Sequence, residues 1–451
     1  MSRTLWFRSA LLGGGWVGDV RITLANGLIA RIETGVAAAS GDERHGAAVA
    51  GLPNVHSHTF QRAIAGLTER RGPITDNFWT WREAMYAAVA RLIPDDVEAI
   101  AAQAFAEMLE SGFTHVGEFH YVHRDRDGRA YADIAEMSHR IAAAARETGI
   151  GLTMLPCFYA HSQFGGAPPL PRQNRLITSL DEFVRLVEAC RADVATLEGA
   201  QLGLAPHSLR AVTLDELKAV TEMAGGAPLH IHVAEQTREV DDCRAVHGGR
   251  PVEVLLANAP VDARWCLIHA THTTEAELAA IAALKAVIGL CPLTEANLGD
   301  GFIDAREFLS RGGRVAIGSD SNVIVDAAQE LRMMEYAQRL SRRERNVISL
   351  EEGASCGEDA FVRALQGGSQ ALALTRAGLV EGGRADIVAL KAPDGMDDPA
   401  ALLDRVIFGA RERMIDTVWR SGHVVVRDGH HIARDRITPR FEAALKRMAN
   451  A

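Results

Sequence analysis

Apolar and polar positions along the chain follow two rhythms. Eight short, nearly continuous apolar runs recur between Ala48 and Asp320: AVAGLPNVHSH, THVGEFH, GLTMLPCFYAH, AQLGLAPH, PLHIHVAE, RWCLIHA, AVIGLCP and RVAIGSD. Between them lie stretches such as DDVEAIAAQAFAEMLESG, LDELKAVTEMAGG, TEAELAAIAALK and AREFLSRGG. Their apolar residues recur every three or four positions, the period of a helix with one buried face. Apolar strands alternating with amphipathic helices predict a parallel sheet covered on both sides. Eight such units over about 270 residues fit an α/β fold of the (β/α)8 TIM-type barrel better than an open doubly wound sheet. No GxGxxG follows the first strand and there is no P-loop, so nucleotide-binding alternatives lose their main support.

The two ends of the chain read differently. TLWFRSALL, VGDVRITLA and LIARIETG at the start look like strands, with Asn26-Gly27 as a hairpin turn. RADIVALKA, DTVWRSG and HVVVRDGHHIA repeat the style near the end, with Asp428-Gly429 as another turn. The expected organisation is one small sheet domain built from both ends, residues 1–50 and 376–451, around a barrel spanning 51–375.

Reactive side chains gather where the barrel strands end. Strand one closes on His56 and His58, strand two on Glu118, His120 and Tyr121, and strand three on Tyr159 and His161. Strand four gives His207, and strand five gives His230 and His232 with Glu235 beyond. Strand six ends in His269 and strand eight in Asp320. The C-terminal ends of barrel strands form the face that carries active sites. A single histidine after an apolar run is usually a core or rim residue, but six of eight strands ending this way points to one shared site.

Histidines at i and i+2 of a strand project to the same face, so His56 and His58 can enter one barrel mouth. Imidazole suits zinc(II) or iron(II), and such a site needs three or four ligands. His232 and Asp320 are the best-placed further ligands. His230 shares the face of His232 one layer deeper and reads equally well as a core residue. A two-metal barrel site often needs a bridging carboxylated lysine on strand three or four. The four lysines are Lys218, Lys285, Lys391 and Lys446, so none lies on those strands. One metal ion is expected, unless Glu118 bridges. Such an ion lowers the pKa of a bound water toward neutrality. Glu235 is then placed as general acid and base, or simply as a carboxylate at a helix N-terminus. His269 can hold the attacking water, and Asp320 can both ligate and orient it.

Composition narrows the field. A formal charge of −10 argues against nucleic-acid or anionic-membrane surfaces. No run reaches the roughly 18 apolar residues of a membrane helix, and Arg8 and Asp19 break the N-terminal apolar stretch. A cytoplasmic protein is expected. The six cysteines are scattered without CxxC spacing and read as buried apolar residues in a reducing compartment.

PNVHSH, HIHVAE, LIHA and IGSDS together resemble the amidohydrolase superfamily, and more narrowly its deaminase branch. That resemblance implies one zinc ion held by His56, His58, His232 and Asp320, with Glu235 and His269 as the catalytic pair and Asp320 assisting. It also implies that the two ends form a small composite β-sandwich domain and that the protein is a homodimer. Gln61, Arg82, Tyr121, His207 and Arg210 fall in segments near the barrel mouth. Arginine clamps carboxylates bidentately, so these residues suggest a small dicarboxylate substrate. The pattern is similar to that of the N-formimidoyl-L-glutamate deiminases, which implies hydrolysis of a formimino group with release of ammonia in histidine degradation. The rivals are a purine or purine-nucleoside deaminase, favoured by Phe78, Trp79 and Trp81, a triazine hydrolase, and an inactive scaffold barrel. The Gly- and Pro-rich segment His161–Arg175 reads equally as a lid or a long connection.

Overall fold

The first apolar run divides at Gly51. The computed structural model, which describes residues 3–72, 75–391 and 399–450, ends one strand at Ala50 and begins the next at Leu52. Gly51 sits so close to Thr114 that a Cβ there would collide with the threonine side chain. The glycine therefore allows the chain to pass from a terminal sheet into the central α/β unit within one residue.

The terminal sheet begins with β1 (Arg3–Leu12), β2 (Gly15–Ala25), β3 (Leu28–Glu33) and β4 (Glu43–Ala50). The central strands are β5 (Leu52–Ser57), β6 (Phe113–His120), β7 (Gly151–Phe158), β8 (Gln201–Leu202), β9 (Ala205–Pro206), β10 (Leu229–Val233), β11 (Trp265–His269), β12 (Val287–Leu290) and β13 (Arg314–Ile317). The chain then returns to the first sheet with β14 (Ile387–Leu390), β15 (Ile415–Arg420), β16 (His423–Arg427) and β17 (His430–His431). Ala392, the last residue of the RADIVALKA run, lies outside the described residues.

Both ends of the chain build one eight-stranded sheet in the order β17-β16-β15-β14-β4-β1-β2-β3. The join is the antiparallel pair β14 and β4, in which Ile387 faces Ala50 and Leu390 faces Ala47. Leu5, Phe7, Val20, Ile22, Ile387 and Trp419 form a core against it. Asn26 (φ 51°) and Gly27 (φ 77°) turn β2 into β3. Asp428 (φ 53°) and Gly429 (φ 81°) do the same between β16 and β17. Both are the left-handed pairs that tight hairpins require.

The eight central runs all form strands, the fourth of them as two short pieces, β8 and β9. They pair in parallel as two sheets, β5-β6-β7-β8 and β10-β11-β12-β13. Backbone hydrogen bonds join these sheets at both edges. Asp320 N–H donates to His56 O and His58 N–H to Asp320 O, each at 2.9 Å. At the other edge His230 N–H donates to Leu204 O and His232 N–H to His207 O, each at 3.1 Å. The intervening helices start where Ser/Thr-x-x-Glu sequences cap them. Thr213 with Glu216 opens Leu214–Ala224, and Thr274 with Glu277 opens Glu275–Ala283.

The chain finishes in a helix, Arg434–Asn450, which the β-rich reading of the C-terminus did not contain. Ile437, Ala444 and Met448 form its buried face. It packs on the helix Pro94–Glu110 of the central unit, where Arg447 pairs with Asp96 and Arg440 Nη2 with Glu98 Oε1 at 3.0 Å. All six cysteines are buried and free.

Candidate active site

Three imidazoles converge at the C-terminal ends of β5 and β10. His56 Nε2 lies 3.1 Å from His58 Nε2 and 3.0 Å from His232 Nε2. Asp320 Oδ1 is 3.5 Å from the Nε2 of both His56 and His58. The opposite ring nitrogens fix two of the tautomers. His58 Nδ1 is 2.8 Å from Phe119 O, and His232 Nδ1 is 2.9 Å from His207 O. A carbonyl oxygen only accepts, so Nδ1 carries the proton in both rings and Nε2 presents a lone pair. Burial also holds His56, His58 and His232 below the usual histidine range, so they are neutral.

Both lone pairs face His56 Nε2, which can donate at most one proton, so at least one of these contacts is repulsive unless a cation lies between the rings. Zinc–nitrogen bonds of about 2.0–2.1 Å in a tetrahedron put the ligand atoms about 3.3 Å apart, and the observed spacings bracket that value. Imidazole nitrogens joined by one carboxylate make a borderline-soft donor set. His56, His58 and His232 could thus hold a divalent metal ion, with Asp320 beside them.

The second half of the site comes from strands five, six and eight. His269 Nε2 lies 3.8 Å from Glu235 Oε1 and 3.6 Å from Asp320 Oδ2. Burial disfavours a charged His269, but Glu235, Glu295 and Asp320 outweigh it and push the ring up to about 10. Burial raises the Glu235 carboxyl, against the pull of His269 and Arg210. Ala234 (φ 52°), His269 (φ 67°) and Asp320 (φ 45°) all adopt left-handed backbone. Such strain costs on the order of 1–3 kcal/mol per residue and persists only where the surroundings impose it. Asn322 imposes it at Asp320: its Nδ2 donates to Asp320 O at 3.0 Å and to His58 O at 3.1 Å.

A cavity opens onto this cluster. His58, His232, Glu235, His269 and Asp320 line its floor, and Gln61, Arg82, Tyr121, His207 and Arg210 line its walls. His56 lies fully buried beneath. Every other residue expected to ligate metal, act in catalysis or bind substrate therefore reaches one cavity. Gln61 Nε2 donates to Tyr121 Oη at 2.8 Å. Arg210 Nη2 lies 3.5 Å from Glu235 Oε2. The Arg82 guanidinium stacks 4.6 Å from the Trp79 ring, and among the described residues its buried Nε has no hydrogen-bond partner.

Comparison with known proteins places this arrangement. The model described as "Amidohydrolase family" matches residues 47–425. The chain belongs to the amidohydrolase family. Residues 3–46 match "Formimidoylglutamate deiminase HutF, N-terminal domain". A formimidoylglutamate deiminase of Pseudomonas aeruginosa is 47% identical over 97% of both chains. The crystal structure of an amidohydrolase from Brucella melitensis has a TM-score of 0.97 and 50% identity, covering 99% of this chain and 100% of that one. An adenosine deaminase from Xanthomonas campestris shares the fold, with a TM-score of 0.83 at 19% identity over 99% of this chain and 98% of its own.

Several residues at strand ends in this amidohydrolase stand apart from the cavity. His161 pairs with Glu216 at 2.9 Å. Arg62 Nε pairs with Glu107 at 2.7 Å. His230 Nε2 meets Ala371 O at 2.9 Å, which settles it as a core residue. Glu118 Oε1 accepts from both the N–H and the hydroxyl of Thr59, at 2.8 and 2.7 Å, and Glu118 does not line the cavity. Tyr159, expected at the end of strand three, and Trp81, named for the purine rival, line the cavity together with Tyr86, which had not been expected there. Glu295 was also missed: it lies on the helix Pro292–Leu298 and meets His269 Nδ1 at 3.2 Å. The signal at Glu295 was weak, since one acidic residue after strand seven looks like any helix-start carboxylate.

Proposed function

We propose that this chain hydrolyses the formimino group of N-formimidoyl-L-glutamate to N-formyl-L-glutamate and ammonia, a step of histidine degradation. The observation that carries the reading is the pair of guanidinium groups, Arg82 and Arg210, facing the histidine cluster across one cavity. Two such cations suit a substrate with two carboxylates. A purine would bring no carboxylate to Arg82, although Arg210 already lies 3.5 Å from Glu235, and the purine-type deaminases among the relatives are distant, such as a 5-methylthioadenosine/S-adenosylhomocysteine deaminase of Shouchella clausii at 24% identity. The intact ligand set also counts against an inactive scaffold.

His56, His58, His232 and Asp320 would hold one zinc ion, with iron(II) suited to the same donors. When bound, the ion acts as a Lewis acid and supplies hydroxide at neutral pH. Glu235 takes the proton from the attacking water at Oε1. His269 Nε2 and Asp320 Oδ2 hold the incoming oxygen as it bonds to the formimino carbon. Glu235 gives this proton to the formimino nitrogen, then takes the proton remaining on the added oxygen and delivers it to the same nitrogen; the C=O bond forms as the C–N bond breaks, and ammonia leaves. Arg82 and Arg210 neutralise the glutamate carboxylates, while Gln61, Tyr121 and His207 orient the formimino end.

The eight central strands in this reading close into a (β/α)8 barrel, supported by the hydrogen bonds at both sheet edges. Residues 51–375 form that barrel, and 1–50 with 376–451 the composite β-domain. A cytoplasmic homodimer completes the reading. Among the described residues, no helix is long and apolar enough to cross a membrane. Exposed Phe302 and Leu340 on one apolar groove support self-association.

Ammonia release by the zinc-loaded protein tests the function, with N-formimidoyl-L-glutamate, guanine, adenine and S-adenosylhomocysteine as parallel substrates. Turnover of the formimino compound alone is expected. Turnover of a purine instead would remove the carboxylate clamp and leave the metal site standing.

A further inference from the structure

The cavity wall holds two phenols whose protons are not fully used by the protein. Gln173 is fully buried, and its Oε1 accepts from Leu170 N–H at 2.8 Å. That contact fixes which end of the amide carries the NH2 group. Gln173 Nε2 then donates to Tyr159 Oη at 2.8 Å and to Tyr86 Oη at 3.3 Å. An amide N–H only donates, so both phenol oxygens accept there and each phenol keeps its own proton. Tyr159 can spend its proton on Tyr86, or the reverse. Among the described residues neither phenol has another protein acceptor, so at least one proton must point into the space both rings line. Burial, reinforced by Tyr86, raises the Tyr159 hydroxyl far above its usual range and keeps it a donor.

This surplus donor shares its cavity with Arg82 and Arg210. The Arg82 guanidinium lies 5.7 Å from the Tyr86 ring. Tyr159 packs its ring 4.5 Å from that of His207, which in turn lies 4.8 Å from His232. A hydroxyl donor beside two guanidinium groups is a binding place for an anion, one ring removed from the histidine cluster.

We propose that Tyr86 and Tyr159, turned by Gln173, donate hydrogen bonds to the side-chain carboxylate of the substrate, and that Gln173 is the positioning residue that sets this selectivity. The assignment rests on the deiminase reading above. It also gives the segment 161–175 a role: it is a fixed wall, held by Gln173 at one end and by the His161–Glu216 pair at the other.

The test compares kcat/KM for N-formimidoyl-L-glutamate with that for N-formimidoyl-L-2-aminobutyrate, which lacks the side-chain carboxylate. Tyr86→Phe and Tyr159→Phe remove single hydroxyls, and Gln173→Met removes the amide donor at similar size. Each is expected to lower the ratio about tenfold through KM, the scale of a hydrogen bond to a charged group. A ratio unchanged in both tyrosine variants overturns the proposal. So does a loss confined to Gln173→Met, which marks loop packing alone. If the unaltered protein does not turn over N-formimidoyl-L-glutamate, the proposed reaction falls instead. Calorimetric binding of glutarate to the unaltered protein and to Tyr159→Phe then decides the hydroxyl's role: weaker binding by the variant supports it and equal binding overturns it.

Discussion

Glu295 Oε1 lies 3.2 Å from His269 Nδ1, on the side of the ring opposite Glu235 and Asp320. The same oxygen accepts from Cys291 N–H at 2.9 Å, so the carboxylate is itself held in place. His269 therefore presents Nε2 to the cavity with its orientation and charge set from behind.

Glu295→Ala frees that ring. The variant should lose roughly ten- to a hundredfold in kcat, the range usual for removing a partner that orients a working imidazole. Glu295→Gln, which keeps an acceptor for Nδ1–H, should recover part of the loss. Steady-state kinetics on both variants, with zinc content measured in each, checks this. Equal kcat in Glu295→Ala and the unaltered protein would show that His269 needs no support.

Among the described residues, Glu235 is the one carboxylate within 4 Å of both His269 and Arg210. Glu235→Gln keeps the shape and removes proton transfer. Turnover should fall by about 10²–10⁴-fold, while zinc content and thermal stability stay close to those of the unaltered protein. Near-normal turnover would remove Glu235 from the proton path.

Much of this site was readable before any coordinates. The i, i+2 spacing of His56 and His58, and the placement of His232, His269 and Asp320 at strand ends, follow from strand geometry alone. Arg82 and Arg210 were legible only through their neighbours, because a single guanidinium among 44 arginines looks like solvated surface. Gln173 and Glu295 were not legible. Their meaning lies in which atom meets which across the fold, as with Gln173 and the phenols of Tyr86 and Tyr159. The helix Arg434–Asn450 escaped for another reason: Pro439 interrupts a sequence otherwise rich in charge, and its thin apolar face has meaning only against the helix Pro94–Glu110.

Buried neutral histidines outside the site should make the fold acid-sensitive. Burial lowers His123 to about 4, opposed by its contact of 2.9 Å with Cys157 O. A depressed folded-state value favours the neutral ring, so its stabilising contribution is complete above about pH 6.5. It is lost as pH falls toward 4. The difference of about 2.5 units corresponds to roughly 3 kcal/mol, or about 3 °C in Tm for a chain of this size. His123→Gln should show a smaller drop in Tm between pH 7 and pH 4 by that margin. Identical pH dependence in both proteins would place the acid sensitivity elsewhere.

The converging lone pairs of the three histidines make a further claim that does not depend on turnover. The lone pairs of His58 Nε2 and His232 Nε2 both face His56 Nε2, 3.1 and 3.0 Å away, and a single proton on His56 can satisfy only one of them, so a cation suits the cluster better. Chelation should therefore lower Tm, and added zinc should restore it in a concentration-dependent way. At a free ion concentration of about 100 times Kd the gain is roughly 2.7 kcal/mol. His56→Ala deletes the nitrogen that touches both others, and its Tm should lose most of its response to zinc. A Tm indifferent to chelator and to zinc in the unaltered protein would mean that no ion is held there. The proposed chemistry would then have no source of hydroxide at neutral pH.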